Sequence, residues 1–415
     1  MTTSVFERML AAEERQRFLD YRTQRLDMYE DELAQLTSYL PTDECTRDIE
    51  RILANDFSLP LPRKVLIRKA NTNRRRTLFI YPPRQQMLFS YLTWQLHDYD
   101  YLFSDSLYSF RKGKKTSALF EQVMRIDSSQ DLWIFKSDIR DYFYSIKPWH
   151  LIPMLEQHVG SRDPLLLSFL KHLLTNNTYL WNDVEEHGYM GGLQGVPMAM
   201  MFGNMYLMEL DSALDRRSIL NARYSDDIAA FMNTREEVDD AFAEAREILS
   251  RLELEFNERK TQVLAPGESL ELLGIQLRDG NFDIGDNTLA KARYKLKRFA
   301  HKLVIREQKG ELSRKDATRI MIDRLNRYFY GHESMLHKLN WKSFFFMIVT
   351  RPDSLHELDL YVQDLVRYVA TGKKTNAKYR MTYDAMRDLG YKPLVHEYYK
   401  FREEMYQKQL EPQRN

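Results

Sequence analysis

Asp226 and Asp227 stand side by side in RYSDDIAAFM (223–232), and a third acid, Asp138, closes the apolar run in DLWIFKSDIRDYFYSI (131–146). An Asp pair between two apolar runs has an ordinary reading as the turn of a hairpin, because the short carboxylate bonds the backbone two residues on. It also has a chemical reading. Carboxylates held rigidly on adjacent strands bind two Mg²⁺ ions about 3.5–4 Å apart, which activate an attacking oxygen and stabilise a leaving one in phosphoryl transfer. Hard oxygen donors with no Cys or His beside them suit two Mg²⁺ ions, with Mn²⁺ as the alternative.

Those acids need a sheet to bring them together. The middle of the chain reads β, α, β-hairpin, α, β with helices on one face, an α+β layer resembling a split βαβ ferredoxin-like sheet. There the strand ending at Asp138 and the hairpin tip at Asp226-Asp227 become neighbours. EEHGYMGGLQGVPMAMMFGNMYLMELDSALD (185–215) is a Gly-rich turn followed by a helix apolar on nearly every face, and hence buried. Thr234 and Glu237 form a capping box for a helix amphipathic through Val238, Phe242, Ala245, Leu249 and Leu252. KTQVLAPGESLELLGIQL (260–277) returns as two strands. Upstream, residues 5–40 read as one or two polar helices, and LPLPRKVLIRKANTNRRRTLFIYPPRQQ (59–86) as a basic hairpin closed by Pro82-Pro83. Helices follow over 87–98 and near 116–125. Beyond 285 the pattern is helical apart from TRPDS and TGKKTN.

The chain's 415 residues imply about two to four packed units. Net charge is only +1, but it is unevenly spread. Residues 1–50 hold 12 acidic and 6 basic side chains, whereas residues 285–310 hold 8 Lys/Arg against 2 Asp/Glu. RRR (74–76) and RKGKK (111–115) are two further basic knots. Such patches are read either as the footprint of a phosphate-backbone partner or as solvated helix faces and loops. The single cysteine, Cys45, excludes an internal disulfide and a Cys-ligated zinc module, and fits a reducing compartment. MTTSVFERML has no apolar signal region, and FFFMIV (344–349) is far short of the roughly 20 residues that span a bilayer. A cytoplasmic protein with no membrane partner is expected.

The series FKSDIRDYFYSI, GGLQGVPMAMMFGN, YSDDIAAF, NERKTQVL and LLGIQL resembles palm motifs A to E of bacterial reverse transcriptases. It is nearest to the retron, group II intron and abortive-infection or defence-associated types. RRRTLFIYPPRQQ and FSDSLYSFRKGKK are similar to the fingers motifs of that family. The resemblance covers about residues 60–285 closely and the helical remainder loosely. It implies a right-hand polymerase: a helical N-terminal extension (1–58), fingers (59–130), and a ferredoxin-like palm (131–285) with fingers helices inserted at about 147–185. A helical thumb (286–345) and a helical C-terminal region (346–415) complete it.

Carried over by position, the resemblance implies that Asp138 and Asp226 are direct metal ligands, with the Ile139 backbone beside them and Asp227 as the adjacent carboxylate. Phe143, five residues after Asp138, matches a steric gate that leaves no room for a 2′-hydroxyl; as bare sequence it is equally a core aromatic. Asp141 and Tyr142 accompany it at the substrate. Gln194 and Gly195 match the turn that touches the nascent pair, a glycine permitting close approach, and a tight loop before a buried helix is compatible. Lys69 and Arg76 match fingers cations over the incoming triphosphate, with Arg74 or Arg75 able to substitute. Lys260 matches a general acid for pyrophosphate, with a plain surface lysine as the alternative. Arg111, Lys112 and Lys114, together with Lys291, Arg293, Lys295, Lys297 and Arg298, are expected to grip the nucleic-acid backbone. Val196 and Ala199 depart from the pattern, standing where many relatives carry small hydroxyl residues.

The implied activity is RNA-directed DNA polymerisation by a nucleotidyltransferase. Its partners would be a template RNA (a dedicated non-coding one), the DNA product and dNTPs, in anti-phage defence. Three alternatives stand beside it: untemplated or protein-primed DNA synthesis from a Tyr or Ser hydroxyl, RNA-directed RNA synthesis, and an RNA-binding scaffold with a vestigial site. Oligomeric state is not legible here.

Overall fold

The computed structural model describes residues 3–23, 30–68, 75–126, 131–331, 340–373 and 380–410. The chain divides into two compact units, Met1–Pro266 and Gly267–Asn415.

Among the described residues the first unit opens with helices α1 (Val5–Met9), α2 (Ala12–Thr23), α3 (Glu30–Tyr39) and α4 (Asp43–Leu53). Three of them occupy the stretch read as one or two. Their acidic composition does not make them a solvated tail, because Val5, Phe6, Met9, Phe18 and Ile49 are buried in the unit's core. Asp163 shows how the segment is fastened. Its carboxylate accepts from the Val5 amide (2.7 Å), the Ser4 hydroxyl (2.9 Å) and the Leu166 amide (2.9 Å), so one acid caps a later helix and anchors the chain start.

Strands β1 (Arg63–Arg68) and β2 (Arg75–Ile80) form the expected basic hairpin, in register from Arg63 opposite Ile80 to Arg68 opposite Arg75. Pro83 begins helix α5 (Pro83–Gln95), where its missing N–H costs nothing and its fixed φ suits a first turn. A 3₁₀ segment (Leu96–Leu102) and α6 (Thr116–Arg125) follow. Next come β3 (Trp133–Asp138), α7 (Tyr142–Ser145), α8 (Pro148–Leu155), α9 (Pro164–Thr175), β4 (Thr178–Trp181) and β5 (Val184–His187). β4 joins β1 in parallel, giving the sheet β2-β1-β4-β5.

The apolar stretch after the Gly-rich turn becomes two helices, α10 (Ala199–Tyr206) and α11 (Met208–Arg217). Then come β6 (Leu220–Tyr224), β7 (Asp227–Met232), α12 (Arg235–Arg251) and β8 (Gln262–Leu264), and the second sheet is ordered β6-β7-β3-β8, antiparallel throughout. The Thr234–Glu237 capping box forms, with the Glu237 amide donating to Thr234 Oγ1 (3.1 Å) and the Thr234 amide to Glu237 Oε2 (3.3 Å). Helix α12 closes one face of the sheet, where Phe135, Phe242 and Phe256 meet at ring separations of 5.3–5.6 Å.

The second unit begins with β9 (Leu270–Leu272), β10 (Ile275–Arg278) and β11 (Asn281–Ile284), a three-stranded antiparallel sheet. The sequence assigns these residues to the palm; here they belong with the helices that follow. The reason is local bonding: the Thr350 amide donates to the Phe282 carbonyl (2.9 Å), the Phe282 amide donates to Thr350 Oγ1 (2.9 Å), and the Ser354 hydroxyl donates to Asp283 (2.7 Å). Among the described residues six helices follow: α13 (Asp286–Gln308), α14 (Arg314–Tyr330), α15 (Trp341–Ile348), α16 (Asp353–Thr371), α17 (Tyr383–Asp388) and α18 (Leu394–Leu410). Helix α16 is the centre, with Leu355, Leu358, Val362 and Val366 at 0 % exposure. Among the described residues no helix is long and apolar enough to cross a membrane.

Candidate active site

Register places the acids. In the β3–β7 ladder Asp138 lies directly opposite Asp227, each at a strand end, and Asp226 occupies the turn between β6 and β7. Cross-strand partners stand about 4.5–5.5 Å apart at Cβ. Ser225, the other turn residue, has φ 60°, in the left-handed region that favours glycine. It is held there from both sides: its amide donates to Ser109 Oγ (2.8 Å), and its carbonyl accepts from Arg223 Nη1 (3.0 Å).

A third segment closes in from residues 255–260. The Arg140 amide donates to Glu255 O (2.9 Å) and the Asn257 amide to Asp138 O (2.8 Å), so this stretch runs beside the end of β3. A turn sealed by the Lys260 amide on Asn257 O (2.8 Å) then sends the Lys260 ammonium onto Asp138 Oδ2. The other Asp138 oxygen, Oδ1, is buried with no hydrogen-bond partner.

Three carboxylates thus face one ammonium, and the protonation of Asp226 and Asp227 shows the imbalance. Burial, then the charge of Asp226, pushes Asp227 up to about 6. Asp226 is raised for the same first reason, with Asp138 adding to it and its own backbone and Lys260 opposing. Burial works against the Lys260 charge, yet the bond to Asp138 and the surrounding carboxylates raise it. Among the described residues no three His, Cys, Asp or Glu side chains form a group that could hold a metal ion, and Asp138 Oδ2 is paired with Lys260. The orphaned Oδ1, the all-oxygen donors and the surplus negative charge nevertheless fit hard divalent cations.

Phe143 is half-buried on α7, its ring resting on α10: a Cβ on Gly203 would lie 2.9 Å from Phe143 Cε1. Tyr142 is 2 % exposed and donates its hydroxyl to the Gly203 carbonyl, so its ring is a core strut, not the substrate contact expected. Asp141 is exposed with φ 44°, its carbonyl accepting from the Tyr144 (3.0 Å) and Ser145 (3.1 Å) amides. Gln194 gives its carbonyl to the Phe79 amide (2.7 Å), and Gly195 has φ 108°. A Cβ on Gly195 would lie 2.8 Å from Phe79 O, so strand β2 by itself requires the glycine. Val196 and Ala199 are 3 % and 4 % exposed, and apolar types suit that surrounding.

The cations divide. Arg75 and Arg76 are exposed on β2, and consecutive strand residues face opposite sides, so one of the two serves either face. Lys69 and Arg74 lie outside the described residues. Arg111 is tied to the Ser104 (2.6 Å) and Asp100 (3.1 Å) carbonyls, and Lys114 to Asp105. Both are spent on folding their own loop, which corrects their reading as backbone grips; Lys112 stays exposed. On α13, Lys291, Lys295, Lys297 and Arg298 are exposed, whereas Arg293 pairs with Glu357 (3.1 Å) inside its unit.

One pair escaped the sequence reading. Arg223, fully buried, bonds Asp211 through Nε (2.5 Å) and Nη2 (2.6 Å). Its only signal was an arginine inside an apolar strand.

A four-stranded antiparallel sheet carrying paired carboxylates at its strand ends, with a basic hairpin sheet attached, defines a right-hand nucleic-acid polymerase. A family model described as reverse transcriptase (RNA-dependent DNA polymerase) matches residues 67–277, half of the 415-residue chain, and the chain belongs to that family. No curated protein matches it. Among solved structures it is similar to apo telomerase from Candida tropicalis truncated from the C-terminal domain, at 10 % identity and TM-score 0.44 over 54 % of each chain. The chain thus spans about half the length of that relative. It is also similar to Candida albicans telomerase in complex with a TWJ fragment of telomeric RNA, at 11 % identity and TM-score 0.41, covering 88 % of this chain and 68 % of the other.

Proposed function

We propose that the protein is an RNA-directed DNA polymerase that joins dNTPs on an RNA template. The observation that carries this reading is the cross-strand placement of Asp138 opposite Asp227, with Asp226 at the adjoining turn. Asp138 and Asp226, with Asp227 and the Ile139 carbonyl beside them, would hold two Mg²⁺ ions, whose chemistry is to activate the primer hydroxyl and stabilise the leaving pyrophosphate.

The chain's own residues do the rest. Lys260, kept protonated by its carboxylate surroundings, is placed to give a proton to the departing pyrophosphate. Phe143, propped by α10, excludes a 2′-hydroxyl by bulk. Arg75 or Arg76 steers the triphosphate. Lys291, Lys295, Lys297 and Arg298 on α13, as part of a thumb, hold the template–primer backbone without reading its sequence. The motif set extends the proposal to a dedicated non-coding RNA as template and to anti-phage defence, as in the defence-associated reverse transcriptases it resembles.

The test is to purify wild type and Asp226→Ala/Asp227→Ala and to sequence the nucleic acid bound to each. One defined RNA with both proteins, and complementary DNA only with wild type, supports templated synthesis. DNA unrelated to any bound RNA, or RNA with no DNA on either protein, overturns it.

A further inference from the structure

The first unit holds a cavity of about 540 Å³ built by α1, α2, α5, the 3₁₀ segment and the loop at Lys112. None of these elements carries a catalytic carboxylate. Tyr21 and Trp94 form a bent aromatic floor, with ring centroids 6.3 Å apart and planes inclined by 44°. The Lys112 ammonium sits over both rings, 5.9 and 5.1 Å from their centroids. Its loop is fastened in that position, the Lys112 amide donating to Asp100 (2.8 Å) and Arg111 clamping the carbonyls of Ser104 and Asp100. The walls are two ion pairs, Arg8–Asp98 (2.6 Å) and Arg17–Glu14 (2.6 Å).

Hydrogen bonding is incomplete at this site. Trp94 Nε1 and Arg8 Nε are both buried donors without a partner. Buried unsatisfied donors are uncommon and costly, which marks this lining as incompletely satisfied. We propose that the cavity is a second nucleotide site, taking one unpaired nucleotide with its base on the Tyr21–Trp94 floor and its phosphate toward Lys112.

The lining selects this chemistry over others. A greasy ligand would meet charged walls, and a bare anion would meet as many acids as bases. A nucleotide combines a flat ring for stacking, acceptors for the guanidinium groups of Arg8 and Arg17, base N–H groups for the wall carboxylates, and an anionic phosphate. The volume falls in the roughly 300–1,000 Å³ typical of small-molecule sites. The nucleotide is either free or an unpaired residue of a bound strand, and the chemistry is shared.

Binding is measured without catalysis, so the outcome is separate from that of the polymerase reading. Titrate ATP and, independently, an unpaired oligoadenylate into the full chain in EDTA, which disables metal-dependent binding at the carboxylates. Compare wild type, Trp94→Phe, Lys112→Ala and Asp226→Ala/Asp227→Ala. Trp94→Phe keeps an aromatic side chain but cuts its stacking area; Lys112→Ala alters an exposed side chain and keeps the test readable if the tryptophan variant misfolds. The expected result is saturable binding, weakened on the order of tenfold in the Trp94 and Lys112 variants and unchanged in the aspartate variant. Binding of ATP identifies a free nucleotide; binding of the oligonucleotide alone identifies a strand. No binding of either probe, equal binding by all variants, or loss in the aspartate variant overturns the proposal.

Discussion

Two clusters of charge lie on either side of one hairpin, one fully buried and one partly open, and they are built to opposite rules. Behind the turn, Arg223 and Asp211 are 0 % and 1 % exposed, and charge is matched one for one in a two-pronged bond. The remaining guanidinium donors go to the Ser225 and Asn204 carbonyls. In front, Asp138, Asp226 and Asp227 share a single ammonium, and one carboxylate oxygen has no partner. Burying charge is costly unless it is neutralised in place. The back cluster meets that condition internally and can only hold shape. The front cluster does not, which is the signature of a site completed by something bound.

The largest effect should come from the front. Asp226→Ala/Asp227→Ala should lower primer extension by about a thousandfold or more, roughly 4 kcal/mol in the barrier. The metal-free melting temperature should hold or rise, because like charges have been removed. A clear fall in that temperature would show that the front cluster is structural after all.

The back cluster should behave in reverse. Asp211→Ala strands a buried guanidinium and should cost about 3–5 kcal/mol of stability by chemical denaturation. The joint replacement Asp211→Leu/Arg223→Met should recover most of that stability. It should recover little activity, since Ser225 loses the donor that steadies its left-handed backbone. Full recovery of both would show that the pair does not position the turn.

A smaller effect sharpens the front cluster's neighbourhood. Phe143→Ala should raise the ratio of ribonucleotide to deoxyribonucleotide kcat/KM by about 10- to 100-fold, the range that pocket shape alone supplies. An unchanged ratio would return Phe143 to the core.

The smallest effect is in pH. Asp227 is raised to about 6 in the folded chain, chiefly by burial, from an ordinary value of 3.8. Its contribution to stability is therefore fully present below the ordinary value and is lost as pH rises through about 6. In EDTA the wild type should lose a few degrees of melting temperature over that window relative to Asp227→Asn. Mg²⁺ should erase the difference. Parallel curves would mean that the carboxylate is not strained by its surroundings.

Much of this was legible in one dimension. The Asp138 strand, the β6–β7 hairpin, the Thr234–Glu237 cap and the basic β1–β2 hairpin depend on alternation or on contacts within a few residues. The Arg111 and Lys114 readings fared worse, because a run of charge looks the same whether it meets solvent or folds onto its own loop carbonyls. Gly195 was legible as a glycine that matters, but not as one required by strand β2. The strands after Pro266 were legible as strands, while their allegiance to the second unit rests on bonds to Thr350 and Ser354.

The sequence by itself determined the acids, their motif order and the elements that carry them, since those follow from local periodicity and residue type. Only the tertiary structure decided that Asp138 faces Asp227, that Lys260 reaches Asp138 across 122 residues, and that Arg223 closes on Asp211. Those outcomes depend on strand register and on which charges the fold brings side by side, buried for Arg223 and Asp211 and open to solvent at Lys260. Both are properties of packed neighbours, which are far apart along the chain.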